Sequence, residues 1–336
     1  MMLLSWNTTN QCNLYCDHCY RDAGAKVEDE LKTDEAKNLI DEAFAAGFRI
    51  MIFSGGEPLL RPDLLELIAY ASQRGLRPVL GSNGTLLTPE LARELKRAGA
   101  LAVGISLDSL EPVRHDRLRR KEGAWEQAVA GMQACLTVGL PFQVHTTVFD
   151  WNQDELEKIT DLAVEIGARA HHFFFLVPTG RAANIEEETL RSEAYENTLK
   201  RILEKQRQVN IELKPTCAPH FMRIAKEAGV ALRYSRGCLA GIAYCIISPR
   251  GDVQPCAYLN IPVGNVREKP FSRIWQESEV FRTLRTQNYG GSCGRCGYKK
   301  ICGGCRARAW YYYGDYMAEE PWCLHQERKG MHFGQS

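Results

Sequence analysis

The chain has 336 residues, of which 45% are hydrophobic and 25% are charged, a composition typical of a soluble globular protein with one large domain or one large and one small domain. The formal charge is only +1 and no basic block stands out, so nothing indicates nucleic-acid binding. No apolar run approaches the roughly 20 residues that span a bilayer, and the first residues lack the pattern of an export signal. We therefore expect a cytoplasmic protein that binds neither nucleic acid nor membrane.

Strands and helices alternate through the first 208 residues. Helices are expected to begin at Thr33, Asp63 and Thr88 and to end near Gly47, Gly75 and Gly99, and further helices are expected over 122–138, 153–166 and 187–208. Short apolar strands are predicted at 3–9, 50–53, 78–81, 101–106, 142–148 and 171–176.

This alternation predicts an α/β fold with parallel strands and right-handed crossovers. Six units are fewer than the eight of a closed barrel, and no glycine-rich dinucleotide motif follows the first strand, so we predict a partial (β/α)6 TIM-like barrel. Beyond about residue 210, glycine, cysteine and short strands replace the helical pattern. The predicted divisions are a barrel over 1–208, a linker over 209–235, a cysteine-rich unit over 236–326 and a tail over 327–336.

Thirteen cysteines are many for a compartment that keeps thiols reduced. Their grouping favours metal or cluster ligation over disulfides. Three lie close together at Cys12, Cys16 and Cys19, with no fourth cysteine nearby. Iron–sulfur clusters normally take four cysteines, so three thiolates leave one iron of a [4Fe–4S] cluster open.

The spacing Cys12-x3-Cys16-x2-Cys19, with His18 before the last cysteine, resembles that of the radical S-adenosylmethionine (SAM) superfamily. The resemblance implies that SAM chelates the open iron and is cleaved to a 5′-deoxyadenosyl radical. Segments at the ends of later strands resemble the SAM-binding segments of that family, although each alone is also a common turn. The implied SAM contacts are Ser54, Gly55, Gly56, Glu57, Pro58, Ser82, Asn83, Ser106 and Asp108.

The later cysteines resemble those of the SPASM extension of radical SAM enzymes, which carries auxiliary iron–sulfur clusters. The resemblance implies two sets of four cysteines, one of Cys238, Cys245, Cys256 and Cys305 and the other of Cys293, Cys296, Cys302 and Cys323. The Cys302–Cys305 spacing is shorter than the commoner family pattern and the Cys238–Cys245 spacing is longer, which leaves the completeness of one auxiliary cluster open. Two zinc sites are the alternative, because C-x2-C pairs also suit Zn²⁺.

Three further residues are candidates for catalysis or substrate binding. Cys217 and His220 lie in a proline-flanked segment between the two predicted units, and a loop without chemical function is their alternative role. Arg181 could bind a substrate carboxylate, or could be an ordinary surface arginine. Cys135, by contrast, shares a helix face with apolar residues and is predicted to be a core thiol.

Several stretches resemble the tetrapyrrole-modifying radical SAM enzymes of haem d1 and alternative haem b biosynthesis, above all "CGGCRARAWYYYGDYMAEEPWC" at 302–323. The resemblance implies removal of acetate, propionate or only its carboxyl carbon from an iron-tetrapyrrole, with reduced ferredoxin or flavodoxin as electron donor. The alternative is a peptide maturase, which usually has a peptide-docking unit before the barrel; none is expected where the cysteine motif begins at residue 12. A non-enzymatic electron-transfer protein would not need the SAM-binding segments.

Overall fold

The computed structural model describes residues 1–325, and the predicted tail at 327–336 lies outside the described residues. Nine strands form one sheet. In chain order they are β1 (Met2–Asn7), β2 (Phe48–Ser54), β3 (Arg77–Ser82), β4 (Ala102–Ser106), β5 (Phe142–Val148), β6 (Ala170–Phe175), β7 (Glu212–Thr216), β8 (Tyr244–Ile247) and β9 (Val253–Gln254).

Helices separate the strands up to β8, and further helices follow β9. The helices are α1 (Thr33–Ala45), α2 (Leu64–Gln73), α3 (Pro89–Ala98), α4 (Pro112–Arg119), α5 (Ala124–Val138), α6 (Leu156–Glu165), α7 (Ser192–Gln206), α8 (His220–Glu227), α9 (Phe271–Glu277), α10 (Glu279–Thr286), α11 (Gly291–Arg295) and α12 (Arg306–Tyr313). Within residues 1–325, no helix combines the length and the apolar character needed to cross a membrane.

The strand order is β7-β6-β5-β4-β3-β2-β1-β8-β9, and all neighbouring pairs except β8 and β9 are parallel. The order has two ends, so the described sheet is open. The predicted α/β class and partial barrel are confirmed. Because β1 to β6 run parallel, the loops that follow them meet at one edge of the sheet, where α/β proteins place their ligands.

Alternate residues of β1 to β5 face the helices and belong to the main hydrophobic core, which includes Leu4, Met51, Phe53 and Val103, whereas those of β6 and β7 belong to a second hydrophobic cluster. The two ends of α3 also agree with the signals in the sequence. The hydroxyl of Thr88 accepts a hydrogen bond from the Leu91 amide at the start of α3, and Gly99 ends that helix in the left-handed conformation, as predicted.

Two elements lie where the sequence predicted a linker, namely β7 and α8. Strand β7 contains Pro215, which cannot donate a hydrogen bond to a further strand, and accordingly β7 lies at an edge of the sheet. Strand β8, which belongs to the cysteine-rich region, joins the same sheet by pairing with β1 on the side opposite β2. The predicted division of the chain into units stays a prediction.

Candidate active site

The loop that carries the first three cysteines follows β1 directly and has no regular secondary structure. Main-chain hydrogen bonds close it, from the Cys12 amide to the Gly24 carbonyl at 2.8 Å and from the Gly24 amide to the Asn10 carbonyl at 3.0 Å. Cys16 is buried, whereas Cys12 and Cys19 are partly exposed. The three thiols are therefore held in a compact loop at the ligand-binding edge of the sheet.

Nitrogen donors are directed at two of these sulfur atoms. The Leu14 amide lies 3.4 Å from Cys12 Sγ, and Arg119 Nη1 lies 3.8 Å from Cys16 Sγ. Burial raises the pKa of the Cys12 thiol to about 11, so in the absence of a metal the group stays protonated. Because iron–sulfur clusters are held by thiolates and tuned by hydrogen bonds to sulfur, this donor set fits a cluster.

The segment after β2 lies against the cysteine loop. The amide of Gly56 donates to the Thr9 carbonyl at 2.8 Å, and the amide of Glu57 donates to the Gln11 carbonyl at 2.8 Å. A Cβ atom on Gly56 would lie only 2.2 Å from the Gln11 carbonyl oxygen, so the close approach requires glycine. The predicted glycine pair thus fixes the second loop directly beside the first.

Glu57 is fully buried and joins this segment to the loop after β3. Its Oε1 accepts from Ser82 Oγ at 2.9 Å and from the Leu59 amide at 3.1 Å, while Oε2 accepts from the Asn83 amide at 2.8 Å. A carboxylate has about four acceptor positions, so one remains for an ammonium group. Burial raises the pKa of Glu57 to about 7, although the three donors oppose the shift.

Asp108, a predicted SAM contact, is buried two residues after the end of β4 and binds a protein cation. Its carboxylate accepts from Arg119 Nε at 2.8 Å and from the Thr147 amide at 2.9 Å. Burial, the largest single influence, raises the Asp108 pKa, but the Arg119 charge opposes it together with His18, His115 and the Thr147 amide, and their combined effect lowers the pKa to about 2. Since Arg119 also reaches Cys16, Asp108 positions the arginine beside the cysteine loop. Ser106 is the last residue of β4, and Ser54 and Pro58 flank the Gly55–Glu57 segment.

Arg181 does not point towards a free site. Its Nε donates to the Cys16 carbonyl at 2.8 Å and its Nη1 to the Ala23 carbonyl at 2.9 Å, while the guanidinium lies 3.9 Å from the centre of the Tyr15 ring. These contacts do not support the predicted contact with a substrate carboxylate, which stays a prediction. Arg181 supports the main chain of the cysteine loop.

The later cysteines form two groups, and the first differs from the predicted set. Cys217 and Cys256 pack against Cys305 in one small hydrophobic cluster with Val177 and Leu259. Burial raises the pKa of the Cys217 thiol, and the charges of three other cysteines act in the same direction, those of Cys305, Cys256 and Cys238. The structure thus brings Cys217 together with three members of the predicted first set.

Cys245 lies apart from these cysteines, and its position does not support its predicted place in that set. It pairs with Leu4 of β1 and is fully buried in the main core, on the face of the sheet that packs against helices. Burial raises its pKa, and the charge that acts on it comes from Arg285 and not from a cysteine. Because side chains alternate along a strand, Tyr244 and Ile246 rather than Cys245 face the opposite side.

The second predicted set comes together as expected from the sequence. Four cysteines line one cavity of about 210 Å³, namely Cys293, Cys296, Cys302 and Cys323. The Glu320 amide lies 3.3 Å from Cys293 Sγ, and the Tyr298 amide lies 3.4 Å from Cys296 Sγ. In residues 1–325, no group of three or more His, Cys, Asp or Glu side chains is arranged to hold a single metal ion.

His220 borders this cavity rather than the first cysteine group. It is 1% exposed, and neither ring nitrogen has a hydrogen-bond partner among the described residues. Burial lowers its pKa to about 4, so the imidazole is neutral at pH 7. A buried, unpaired imidazole at the wall of a cysteine-lined cavity fits a group that fills the cavity and offers acceptors.

Glu320 connects the two cysteine groups, and no sequence signal singled it out. Its carboxylate accepts from the Cys305 amide and from Arg308 Nε, while its own amide points at Cys293. Arg306 also donates to main-chain carbonyls. Both Arg306 and Arg308 are buried and bond within the protein. Arg119 was likewise missed, because helix α4 carries three arginines and its sequence does not single out one of them.

Replacement of Asp108 by Asn should destabilise the protein by about 3–5 kcal/mol, because it leaves Arg119 buried without its carboxylate. Since the folded-state pKa lies below the unfolded value, this contribution is present at neutral pH and is lost as the pH falls towards 2. Anaerobic urea unfolding at pH 7 measures the change. Glu66→Gln, which removes an exposed pair with Lys37, is the control and should cost less than about 1 kcal/mol. An equal loss of stability in Asp108→Asn and Glu66→Gln would contradict the role of Asp108 in positioning Arg119.

Comparison with known proteins agrees with this geometry. Residues 6–163 match the radical SAM superfamily, and residues 238–297 match SPASM, an iron–sulfur cluster-binding domain. The solved structure of Streptococcus suis SuiB bound to its precursor peptide SuiA superimposes with a TM-score of 0.78 at 17% identity, over 94% of this chain and 74% of that one. At that identity the likeness shows the fold.

Two curated relatives extend the match to nearly the whole chain. The AdoMet-dependent heme synthase of Methanosarcina barkeri is 44% identical over 97% of both chains. The AdoMet-dependent heme synthase of Nitratidesulfovibrio vulgaris is 45% identical over 97% of this chain and 93% of its own. The chain is therefore a radical SAM enzyme with a SPASM domain and belongs to the family of the AdoMet-dependent heme synthases.

Proposed function

We propose that this enzyme converts propionate side chains of an iron-tetrapyrrole to vinyl groups in haem biosynthesis. The similarity to heme synthases over 97% of the chain supports this substrate class most directly. Haem carries vinyl groups at some, but not all, of the ring positions where iron-coproporphyrin III carries propionates. Each conversion removes one hydrogen atom, one CO2 and one electron from a propionate, which makes carboxyl loss the best supported of the three side-chain reactions considered.

The first three cysteines are the proposed ligands of the [4Fe–4S] cluster, which with bound SAM supplies the 5′-deoxyadenosyl radical. Glu57 is the proposed acceptor for the SAM ammonium, supported by its one unused acceptor position beside Cys12. In the loop after β3, the Ser82 hydroxyl and the Asn83 amide donate hydrogen bonds that hold the Glu57 carboxylate in place. Reduced ferredoxin or flavodoxin is the proposed electron donor.

Auxiliary clusters are proposed at both later cysteine groups. The first is assigned to Cys217, Cys238, Cys256 and Cys305, and the second to Cys293, Cys296, Cys302 and Cys323. Backbone strain supports the role of Cys217, since its φ of +58° lies in a region that non-glycine residues rarely occupy. A bond from its sulfur to a cluster would be a reason for the strain to persist. An auxiliary cluster can accept the electron that the substrate loses.

The cluster assignment predicts different iron contents for two cysteine variants. Three full clusters hold about twelve irons per chain, and Cys217→Ser should lower that number by up to about four. Cys245→Ser should keep the wild-type iron content. Cys135→Ser changes another buried core thiol and is the control, and it should also keep the wild-type iron content. Iron and sulfide analysis after anaerobic reconstitution measures the difference. Loss of iron in Cys245→Ser alone would restore the family-based assignment.

SAM affinity should depend on pH through Glu57. The folded-state pKa is raised to about 7, so the carboxyl is mostly protonated at pH 6 and mostly ionised at pH 8, and only the ionised form pairs with an ammonium. SAM binding to the reconstituted enzyme should therefore tighten roughly tenfold between these pH values. Glu57→Gln should remove this dependence, whereas Glu90→Gln at the exposed start of α3 should keep it. An unchanged pH profile in Glu57→Gln would rule out the proposed contact.

The reaction itself is tested anaerobically with reduced enzyme, SAM and iron-coproporphyrin III. We expect 5′-deoxyadenosine together with tetrapyrrole products that have lost CO2 and two hydrogen atoms per side chain, as measured by mass spectrometry. Cys12→Ala is the control and should give neither product. Formation of 5′-deoxyadenosine without any change in the tetrapyrrole would instead favour the alternative function, modification of a small precursor peptide.

A further inference from the structure

A row of three nitrogen-bearing side chains crosses the inner face of the sheet. Ser106 of β4 pairs with His145 of β5, His145 pairs with His172 of β6, and His172 pairs with Lys214 of β7. Directly paired residues of parallel strands point to the same face. The two imidazoles and the ammonium therefore form one layer, which we call the His–Lys row.

Neighbouring side chains show that the row faces away from the helices. A Cβ atom on Gly104 would lie 2.0 Å from the His145 ring, so this ring lies over the glycine on the inner face. His171, one residue before His172, points the other way and bonds to Thr160 of α6. The rings of His145 and His172 stack with centres 5.1 Å apart and planes 8° apart.

Lys214 has no ion pair among residues 1–325. The carboxylate that acts on its pKa is Glu212, two residues earlier on the same strand, and the described contact of the ammonium is with the Tyr234 ring at 5.5 Å. Burial lowers the pKa of Lys214, which means that its charge is poorly solvated where it lies. A cation in such a place gains from an anionic partner. Its side chain is nevertheless partly exposed, so a ligand can reach it.

The two histidines add neutral hydrogen-bond donors. Burial lowers the pKa of His145 to about 4 and lowers that of His172 as well, and Lys214 acts in the same direction on both. Each neutral imidazole has one N–H donor. His145 has one described hydrogen-bond contact, with Gln143 at 3.3 Å. No described hydrogen bond involves the His172 ring. The row thus combines one cation with donors that the protein leaves largely unused.

The position of the row matches a substrate site. At one end Ser106 adjoins the loop with Asp108, and at the other end Lys214 lies three residues before Cys217. The row therefore extends from the loops proposed to bind SAM to the first group of later cysteines. Arg181, which the sequence offered as a carboxylate partner, bonds within the protein, and so do the buried Arg306 and Arg308.

We propose that His145, His172 and Lys214 bind a side-chain carboxylate of the substrate. The proposal rests on the proposed function, which makes the substrate an iron-tetrapyrrole with several propionates. Lys214 pairs with the carboxylate, and the imidazole N–H groups donate to its oxygens. The stacked rings present a flat surface beside it. The row holds the substrate between the radical source and the first auxiliary group.

The test is an anaerobic absorbance titration of iron-coproporphyrin III into the reconstituted enzyme. Lys214→Met should raise the dissociation constant about tenfold, the usual effect of losing a charge-assisted hydrogen bond, and His172→Leu should raise it several-fold. Lys214→Arg should restore most of the affinity. Lys158→Met, which removes an exposed lysine of α6, is the matched control and should bind as the wild type does.

A second ligand separates charge from packing. The tetra-carboxamide of iron-coproporphyrin III has the same shape without the charges, so wild type and Lys214→Met should bind it equally. Equal affinity of the two proteins for the acid, or an equal loss for acid and amide, would overturn the row as a carboxylate site while leaving the tetrapyrrole function standing. If the wild-type enzyme bound neither ligand, the proposed function would fail together with the row. Iron content of each variant shows that it has folded and loaded its clusters.

Discussion

The carboxylate of Glu57 and the main chain beside it hold together the loops on which the site depends. The carboxylate accepts donors from the loop after β3 and from its own segment, and the neighbouring amides bond to the cysteine loop after β1. A parallel sheet brings loop ends to one edge but does not fix their spacing. These bonds fix the spacing of the loops, and the main chain at Gly56 lies so close to the cysteine loop that no side chain fits there.

Buried ion pairs provide the second level of organisation. Asp108 and Arg119 lie behind Cys16, and Glu320 and Arg308 lie between the two later cysteine groups. Each pair consists of a carboxylate that fixes an arginine and also accepts a main-chain amide close to the site. Thiolate clusters are negatively charged, so a cation held rigidly nearby is favourable, whereas a mobile one would lose conformational entropy on binding.

Sequence patterns predicted the features that depend on local chemistry. The helix start at Thr88, the helix end at Gly99 and the six strands follow from capping, glycine conformation and apolar periodicity. Local patterns do not predict which face of the sheet a residue of β8 lies on. Cys245 has plausible ligand spacing, but it packs on the helix side beside Leu4. Arg181 could not be assigned either, because its partners are carbonyls distant in the chain. Strand β7 was missed because Pro215 is atypical of a strand.

Strand β7 has neighbours on one side only, and Pro215 removes one of its main-chain donors. Such an edge strand is among the parts of a sheet that open most readily. Cys217 follows this strand at once and meets cysteines from far later in the chain. A cluster held there would tie the open end of the barrel to the C-terminal region, so cofactor loading and local folding would be thermodynamically linked. Protease resistance near β7 would then report how far the enzyme has matured.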